Sequence, residues 1–130
     1  MTAKVLVIDD DKGVRDTLSA VLKEEGYTVA TSADGQDGLQ RALDDEPQFV
    51  LCDLQVPVVD GLEFLERYRE SDGKALVVMM GQYADADVAL EAMRRGAYDW
   101  LPKPFTASEM ILTLRKAKVR ERFREAQGVA

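Results

Sequence analysis

The feature that most constrains the fold of this chain is a regular alternation of short apolar runs with helical patterns. The runs are KVLVID, YTVAT, QFVLCD, ALVVMM and AYDWL, and their Val, Tyr, Phe and Leu residues suit buried strands. Between the runs, apolar residues recur at helical spacing, as in the stripe formed by Val14, Leu18, Val21 and Leu22. Five strand and helix units in this order predict a parallel sheet covered on both faces, which is a doubly wound α/β fold.

Length and residue usage restrict the chemistry that such a domain can perform. The 130 residues, 46% of them hydrophobic, suffice for one core and are too few for two ordinary domains. No apolar run reaches the roughly 20 residues that cross a bilayer, and the N-terminus lacks a signal-peptide pattern, so we expect a cytoplasmic protein without membrane contact. Cys52 is the single cysteine and histidine is absent, which removes disulfides, the usual zinc ligands and the base of a catalytic triad.

Charge is unevenly distributed along the chain. The net charge is −7, yet residues 113–125 hold six basic and two acidic side chains, so the remainder is strongly acidic. An acidic body argues against direct nucleic-acid binding by this domain. The basic segment is interpreted either as a solvated helix face or as a dimer or linker coil, and the sequence leaves both open.

Charged side chains stand where several predicted strands end. Asp9 and Asp10 follow the first strand, Asp53 ends the third, and Lys103 follows the fifth. The carboxyl ends of parallel strands meet at one edge of a sheet, where such folds bind their ligands. Crowded carboxylates need a cation, and oxygen ligands favour Mg²⁺, with Lys103 adding a positive charge for a bound phosphate. Asp11 is interpreted as a residue that favours the positive end of the following helix.

The strings VLVIDDD, VLCDLQVPVVDG and GAYDWLPKPF, in this order and at successive strand ends, resemble the receiver domain of two-component response regulators. The resemblance covers about residues 4–120 and implies a flavodoxin-like sheet of order 2-1-3-4-5 with five helices. It divides the chain into a receiver domain at 1–120 and a helical extension or linker stub at 121–130. The extension is similar to that of nitrogen-regulator-type transcription activators, in which a helical linker leads to an ATPase domain. Either a cut-out receiver or a single-domain regulator fits.

The resemblance implies a role for each charged residue at the strand ends. Asp53 matches the aspartate that accepts a phosphoryl group from a histidine kinase. Asp10 matches a direct Mg²⁺ ligand, Asp9 its water-mediated partner, and the backbone carbonyl of Gln55 a further metal ligand beside Asp53. Lys103 matches the lysine that pairs with the phosphate. The domain is expected to be a phosphoacceptor that modifies itself, not a turnover enzyme.

Several other positions are expected to shape the site. Pro57 and Gly61 match the residues that form the loop after the phosphoacceptor, and Pro104 matches a position at which the family has a cis peptide. Asp60 is interpreted as a turn or helix-start residue. Cys52 is expected to be a small apolar core residue.

The chain departs from the family pattern at the end of its fourth strand. Gly81 lies where receivers carry a threonine or serine whose hydroxyl binds the phosphate, so the hydroxyl is missing. Gln82 either supplies a substitute donor or is an exposed loop residue. Trp100 matches the aromatic switch residue. Either the indole fills the space left at Gly81, in which case it points inward or exchanges freely in the unmodified protein, or Gly81 only relieves crowding from the large ring. Gln55 and Tyr83 match positions that tune hydrolysis of the phosphoaspartate.

Two function classes remain. One is a phosphorylatable receiver that controls dimerisation or an output domain, and the other is a pseudo-receiver, an interaction module in which Gly81 uncouples phosphorylation from output. A phosphatase is disfavoured because Gln55 replaces its second aspartate, and nucleotide binding because no glycine-rich loop follows the first strand. The resemblance implies a partner surface on helix 4, strand 5 and helix 5, with Val88, Tyr98 and Leu112 as candidates.

Overall fold

The structure is a computed structural model, and it describes residues 2–82 and 86–128. Strands and helices alternate along the chain as the apolar pattern predicts, and each strand leads into a helix. No helix in these two ranges has the length and apolar character needed to cross a membrane. The strands are β1 (Lys4–Ile8), β2 (Thr28–Ser32), β3 (Phe49–Asp53), β4 (Leu76–Gln82) and β5 (Asp99–Lys103), and the helices are α1 (Lys12–Glu24), α2 (Gly35–Asp45), α3 (Gly61–Glu70), α4 (Ala86–Arg94) and α5 (Ala107–Ala126).

The five strands form one parallel sheet in the order β2-β1-β3-β4-β5. This confirms the predicted doubly wound topology. The strand order reverses between β1 and β3, which lie side by side, so their carboxyl ends open the crevice in which such folds bind ligands.

Alternating side chains on the strands feed two separate cores. On β1, Val5 and Val7 point to the face covered by α1 and α5, while Leu6 and Ile8 point to the face covered by α2, α3 and α4. A parallel sheet buried on both faces needs such continuous apolar strands. Cys52 belongs to the core covered by α2, α3 and α4. Burial raises the pKa of its thiol well above the ordinary value, which fits the expected role as a small apolar core residue.

Helix starts agree with the capping residues in the sequence. Asp11 accepts a hydrogen bond from the Val14 backbone N–H (3.2 Å), and Asp60 accepts one from Glu63 (2.9 Å). Thr106 begins α5 in a full capping box. Asp60 is therefore an N-cap, and α5 continues without a break past residue 120, the predicted domain boundary, to Ala126.

Candidate functional site

Three strand ends bring two carboxylates and one ammonium group together at the carboxyl edge of the sheet. The Nζ atom of Lys103 lies 2.8 Å from Oδ2 of Asp9 and 2.8 Å from Oδ1 of Asp53. The side chains are 1% exposed for Asp9, 12% for Asp53 and 22% for Lys103. Lys103 thus crosses β4 to reach both acids, and it balances part of the negative charge buried there.

The protonation state of Lys103 follows from two opposing effects. Burial acts to lower the pKa of its ammonium group, but the hydrogen bonds and charges of Asp53 and Asp9 outweigh burial, so the pKa is raised above the ordinary value of 10.5. Lys103 therefore stays charged at neutral pH and is available to hold an anion at this edge.

Asp10 completes an acidic cluster beside Lys103. One carboxylate oxygen from each of Asp9, Asp10 and Asp53 lies within 4.8 Å of the others, and Asp10 is the exposed member. An all-oxygen donor set with one open side fits Mg²⁺, which keeps several waters and is held by one or two carboxylates. The predicted cluster is present as expected, and metal binding by it remains a proposal.

Backbone groups hold both buried aspartates in place. Oδ2 of Asp53 accepts a hydrogen bond from the Gln55 backbone N–H (3.2 Å), and Oδ1 of Asp9 accepts one from Asp11 (3.0 Å). Gln55 thus contacts Asp53 through its N–H group, and the metal-binding role of its carbonyl stays a prediction. The Arg15 guanidinium donates to the carbonyl of Asp9 (2.9 Å), a contact that the sequence analysis missed because Arg15 lies on α1, outside the strand ends.

The loop after β3 leaves no room at Gly61. A Cβ atom there would lie 2.8 Å from both the carbonyl oxygen of Asp53 and Cα of Leu54, and 2.6 Å from Cε of Met79. Gly61 also donates its backbone N–H to Leu54 (2.8 Å). Close packing against the backbone of Asp53 therefore explains why a residue without a side chain stands here.

Two prolines border the site. The carbonyl of Pro57 accepts hydrogen bonds from the backbone N–H groups of Gly35 (3.1 Å) and Val59 (2.9 Å), which fixes the loop against α2. The contact with Gly35 was not predicted. The Lys103-Pro104 peptide bond is cis, as the resemblance implied.

The positions assigned to switching lie along β4 and β5. Gly81 is buried and stands opposite Pro102, and Gln82 is exposed and stands opposite Lys103. Trp100 is partly buried and packs against the core under α2, α3 and α4. Gly81 and Gln82 therefore lie beside the end of β5 that carries Lys103. The switching roles of these residues and the inward or exchanging indole of Trp100 stay predictions. Tyr83 lies outside the described residues.

The predicted partner surface is only partly exposed. Val88 and Tyr98 are half-buried and pack against the two cores, and their role in partner binding stays a prediction. Leu112 is 56% exposed, and Leu90, which the sequence analysis did not select, is 61% exposed. Tyr98 immediately precedes β5 and packs against the core that α1 and α5 cover.

We predict that Gly61→Ala lowers the free energy of unfolding by about 1–3 kcal/mol, because the added methyl group overlaps the backbone of Asp53 and Leu54. Urea denaturation measures the change. Gly13→Ala is the matched control, since its Cβ would meet only a carboxylate oxygen of Asp11 at 3.2 Å, and it should change stability much less. Equal effects of the two variants would contradict the assigned role of Gly61.

The parallel sheet and its edge cluster define a class of protein: small doubly wound α/β domains with acidic residues and a lysine at the carboxyl ends of the strands. Comparison with known proteins identifies the family within this class. Residues 5–115 match the model of the response regulator receiver domain, and the chain belongs to this family.

Individual relatives agree with the family match. The chain is similar to the regulatory protein AtoC of Escherichia coli (34% identity, 90% of this chain and 26% of the relative) and to sporulation initiation phosphotransferase F of Bacillus subtilis (33%, 89% and 94%). Among solved structures, NtrX from Brucella abortus superposes with a TM-score of 0.90 at 32% identity, over 98% of this chain and 29% of that one. The receiver therefore resembles those of nitrogen-regulator-type transcription activators, and it spans about a quarter of the length of AtoC.

Proposed function

We propose that the chain accepts a phosphoryl group from a histidine kinase on Asp53, with Mg²⁺ as cofactor, and that phosphorylation controls a dimerisation or output surface. One observation carries the proposal: the carboxylate of Asp53 reaches the open carboxyl edge of the sheet, 2.8 Å from Lys103 and within the acidic cluster. A nearly buried carboxylate placed beside a cation and a metal-type oxygen cluster suits phosphoryl transfer.

In the proposed reaction a carboxylate oxygen of Asp53 attacks phosphorus in line with the leaving group. The new O–P bond forms as the P–N bond to the kinase imidazole breaks, and the electron pair of that bond leaves with the imidazole. Bound Mg²⁺, held by Asp10 and Asp53 with Asp9 acting through water, would offset the charge of the phosphoryl oxygens. The backbone carbonyl of Gln55 is the remaining proposed ligand.

Lys103 and the Gln55 backbone have complementary tasks in this proposal. Lys103 already lies at hydrogen-bond distance from Asp53, so its ammonium group can transfer that contact to a phosphoryl oxygen without a large movement. The Gln55 N–H group orients the second carboxylate oxygen. The protein acts as a phosphoacceptor that consumes its phosphodonor once per cycle, with Gln55 and Tyr83 as candidates for tuning hydrolysis.

Gly81 gives a specific reason to keep the pseudo-receiver as a second candidate. Position 81 is buried in β4 and offers no hydroxyl to a phosphoryl group on Asp53. A hydrogen bond to a charged group contributes on the order of 1.5–3 kcal/mol, so its loss weakens the coupling between phosphorylation and shape. Transfer to Asp53 uses no group from position 81, whereas a hydroxyl there would couple the phosphoryl group to output, and Gln82 is the candidate substitute donor.

Partners follow from the family and from the length of the relatives. A histidine kinase is the proposed phosphodonor, in the expected cytoplasmic location. AtoC extends well beyond the matched region. We therefore propose that a downstream output domain, joined through α5, responds to phosphorylation of this domain. A homodimer through α4, β5 and α5 is the alternative output, with Leu90 and Leu112 as exposed apolar contacts.

We predict that a small-molecule phosphodonor such as acetyl phosphate, together with Mg²⁺, adds one phosphoryl group to the protein. Intact mass measures the adduct, and Asp53→Asn should abolish it because the nucleophilic carboxylate is lost. Asp60→Asn is the matched control, since Asp60 caps α3 and an asparagine can still cap a helix. An adduct that persists in Asp53→Asn would contradict the assignment, and no adduct at all would favour the pseudo-receiver.

We also predict that Gly81→Thr increases the change in Trp100 fluorescence upon phosphorylation, because the new hydroxyl can bind the phosphoryl group and move with it. Gly81→Val is the control, since valine has nearly the same shape without the hydroxyl. A larger fluorescence change in Gly81→Thr than in Gly81→Val supports the view that phosphorylation is uncoupled from the conformational change in the natural sequence. Equal responses in the two variants would show that the hydroxyl is not the missing element.

A further inference from the structure

The amino-terminal edge of the sheet, opposite the acidic cluster, carries a cavity of about 380 Å³. It is formed by the end of α3, the loops that precede β4 and β5, and the last turns of α5. Among the described residues that line it, every ionisable side chain other than Tyr98 is a cation, and no carboxylate is present. The four cations are Arg69, Lys74, Arg120 and Arg124. An acidic protein that gathers four positive charges around one cavity creates a local site for an anion.

Arg69 is half-buried, and its hydrogen bonds within the described residues go to backbone carbonyls. Its Nη1 atom donates to the carbonyls of Gly73 and Ala75, and Nη2 donates to the carbonyl of Gly96, all at 2.9 Å. These bonds use three of the five N–H donors of a guanidinium group. Within the described residues no ion pair involves Arg69, so its positive charge is not balanced by a carboxylate.

The charge of Arg69 is held in an unfavourable setting. Burial lowers the pKa of its guanidinium below the ordinary value of 12.5; Tyr68 opposes this shift in part, and the positive charge of Arg124 adds to it. The guanidinium carbon also lies 5.5 Å from the ring centroid of Tyr68, which fixes the side chain over an aromatic face. An anion in the cavity would relieve the repulsion between the two arginines without requiring Arg69 to move.

Arg120 and Arg124 reach the cavity from a different part of the molecule. They are four residues apart on α5 and therefore share one face of the helix, and both lie beyond residue 115, where the family match ends. Arg124 also pairs with Glu121 at 3.3 Å, a partly buried i,i+3 contact within α5. A ligand held by Arg69 and Arg124 together would link the last turns of α5 to the loops before β4 and β5.

We propose that this cavity binds a small phosphate-bearing anion through Arg69, Lys74, Arg120 and Arg124, and that the bound anion fastens the end of α5 to the receiver body. Guanidinium groups match the oxygens of a phosphate group in paired hydrogen bonds, and four cations suit an anion of two or more charges. Because α5 leads toward any downstream domain, ligand binding here would stiffen that exit independently of phosphorylation at Asp53.

Titration of the full chain with inorganic pyrophosphate, without Mg²⁺, tests the proposal by amide NMR. We expect saturable shifts at Gly73 and Gly96, together with slower hydrogen exchange in residues 116–126. The double variant Arg120→Gln/Arg124→Gln should bind at least tenfold more weakly. Lys116→Gln/Arg122→Gln has the same change in net charge but does not line the cavity, and it should change affinity less than about threefold.

Several outcomes would overturn the proposal. Equal loss of pyrophosphate affinity in the two double variants would show that only the overall charge of the protein matters. Amide shifts confined to the sheet edge with Asp53 would show that pyrophosphate binds there and not in the cavity. Citrate binding as tightly as pyrophosphate would exclude a preference for phosphate. Shifts at the cavity without slower exchange in α5 would contradict the fastening. Arg69→Lys serves as a further variant that keeps the positive charge but loses the paired N–H donors of the guanidinium group. Unchanged pyrophosphate affinity in this variant would show that Arg69 does not bind the anion.

Discussion

The contact on which the site depends is the ammonium group of Lys103 between the carboxylates of Asp9 and Asp53. Two nearly buried acids at one sheet edge repel each other, and a shared cation at 2.8 Å from each converts that repulsion into attraction. Removing one member of a buried charged group leaves the others unpaired, which is costly. The same charges that constrain the fold are the ones that the proposed phosphoryl transfer uses.

The rest of the fold serves to hold these three groups in register. Parallel pairing of β1 with β3, and of β3 with β4 and β4 with β5, brings their carboxyl ends to one edge. Backbone N–H groups and the Arg15 guanidinium then fix Asp9 and Asp53, while Gly61 lets α3 approach the backbone of Asp53. These contacts hold the carboxylates of Asp9 and Asp53 in one arrangement, and a conformational response through Gly81 and Trp100 stays a prediction.

Sequence alone was sufficient for the sheet, the helices and the acidic edge, because each depends on local periodicity or on the end of a strand. The contacts of Arg15 with Asp9 and of Gly35 with Pro57 were missed, since they join residues whose proximity is set by loop paths. The sequence named Val88 and Tyr98 as candidate partner residues, and their half-buried state was not predicted, because tertiary packing decides which side of a short segment faces the core.

The cavity beside Arg69 at the amino-terminal edge of the sheet is another feature that sequence analysis alone did not predict. Its four cations come from α3, a loop and α5, and their separation along the chain hides them from any motif. The basic segment at 113–125 was open to two interpretations. The structure gives several of its side chains definite neighbours: Arg115 pairs with Glu25, Lys118 lies over the ring of Tyr27, and Arg124 shares a cavity with Arg69.

The most direct test of the central contact is the free energy of unfolding of Lys103→Met, measured with and without Mg²⁺ beside the wild-type protein. Lys12→Met is the control, since Lys12 pairs with Asp16 on the exposed surface. We predict that Lys103→Met is less stable by about 3 kcal/mol without Mg²⁺, and that Mg²⁺ stabilises it more than it stabilises the wild type, because a second cation replaces the lost one. A variant as stable as the wild type, with the same response to Mg²⁺, would contradict the central role of Lys103.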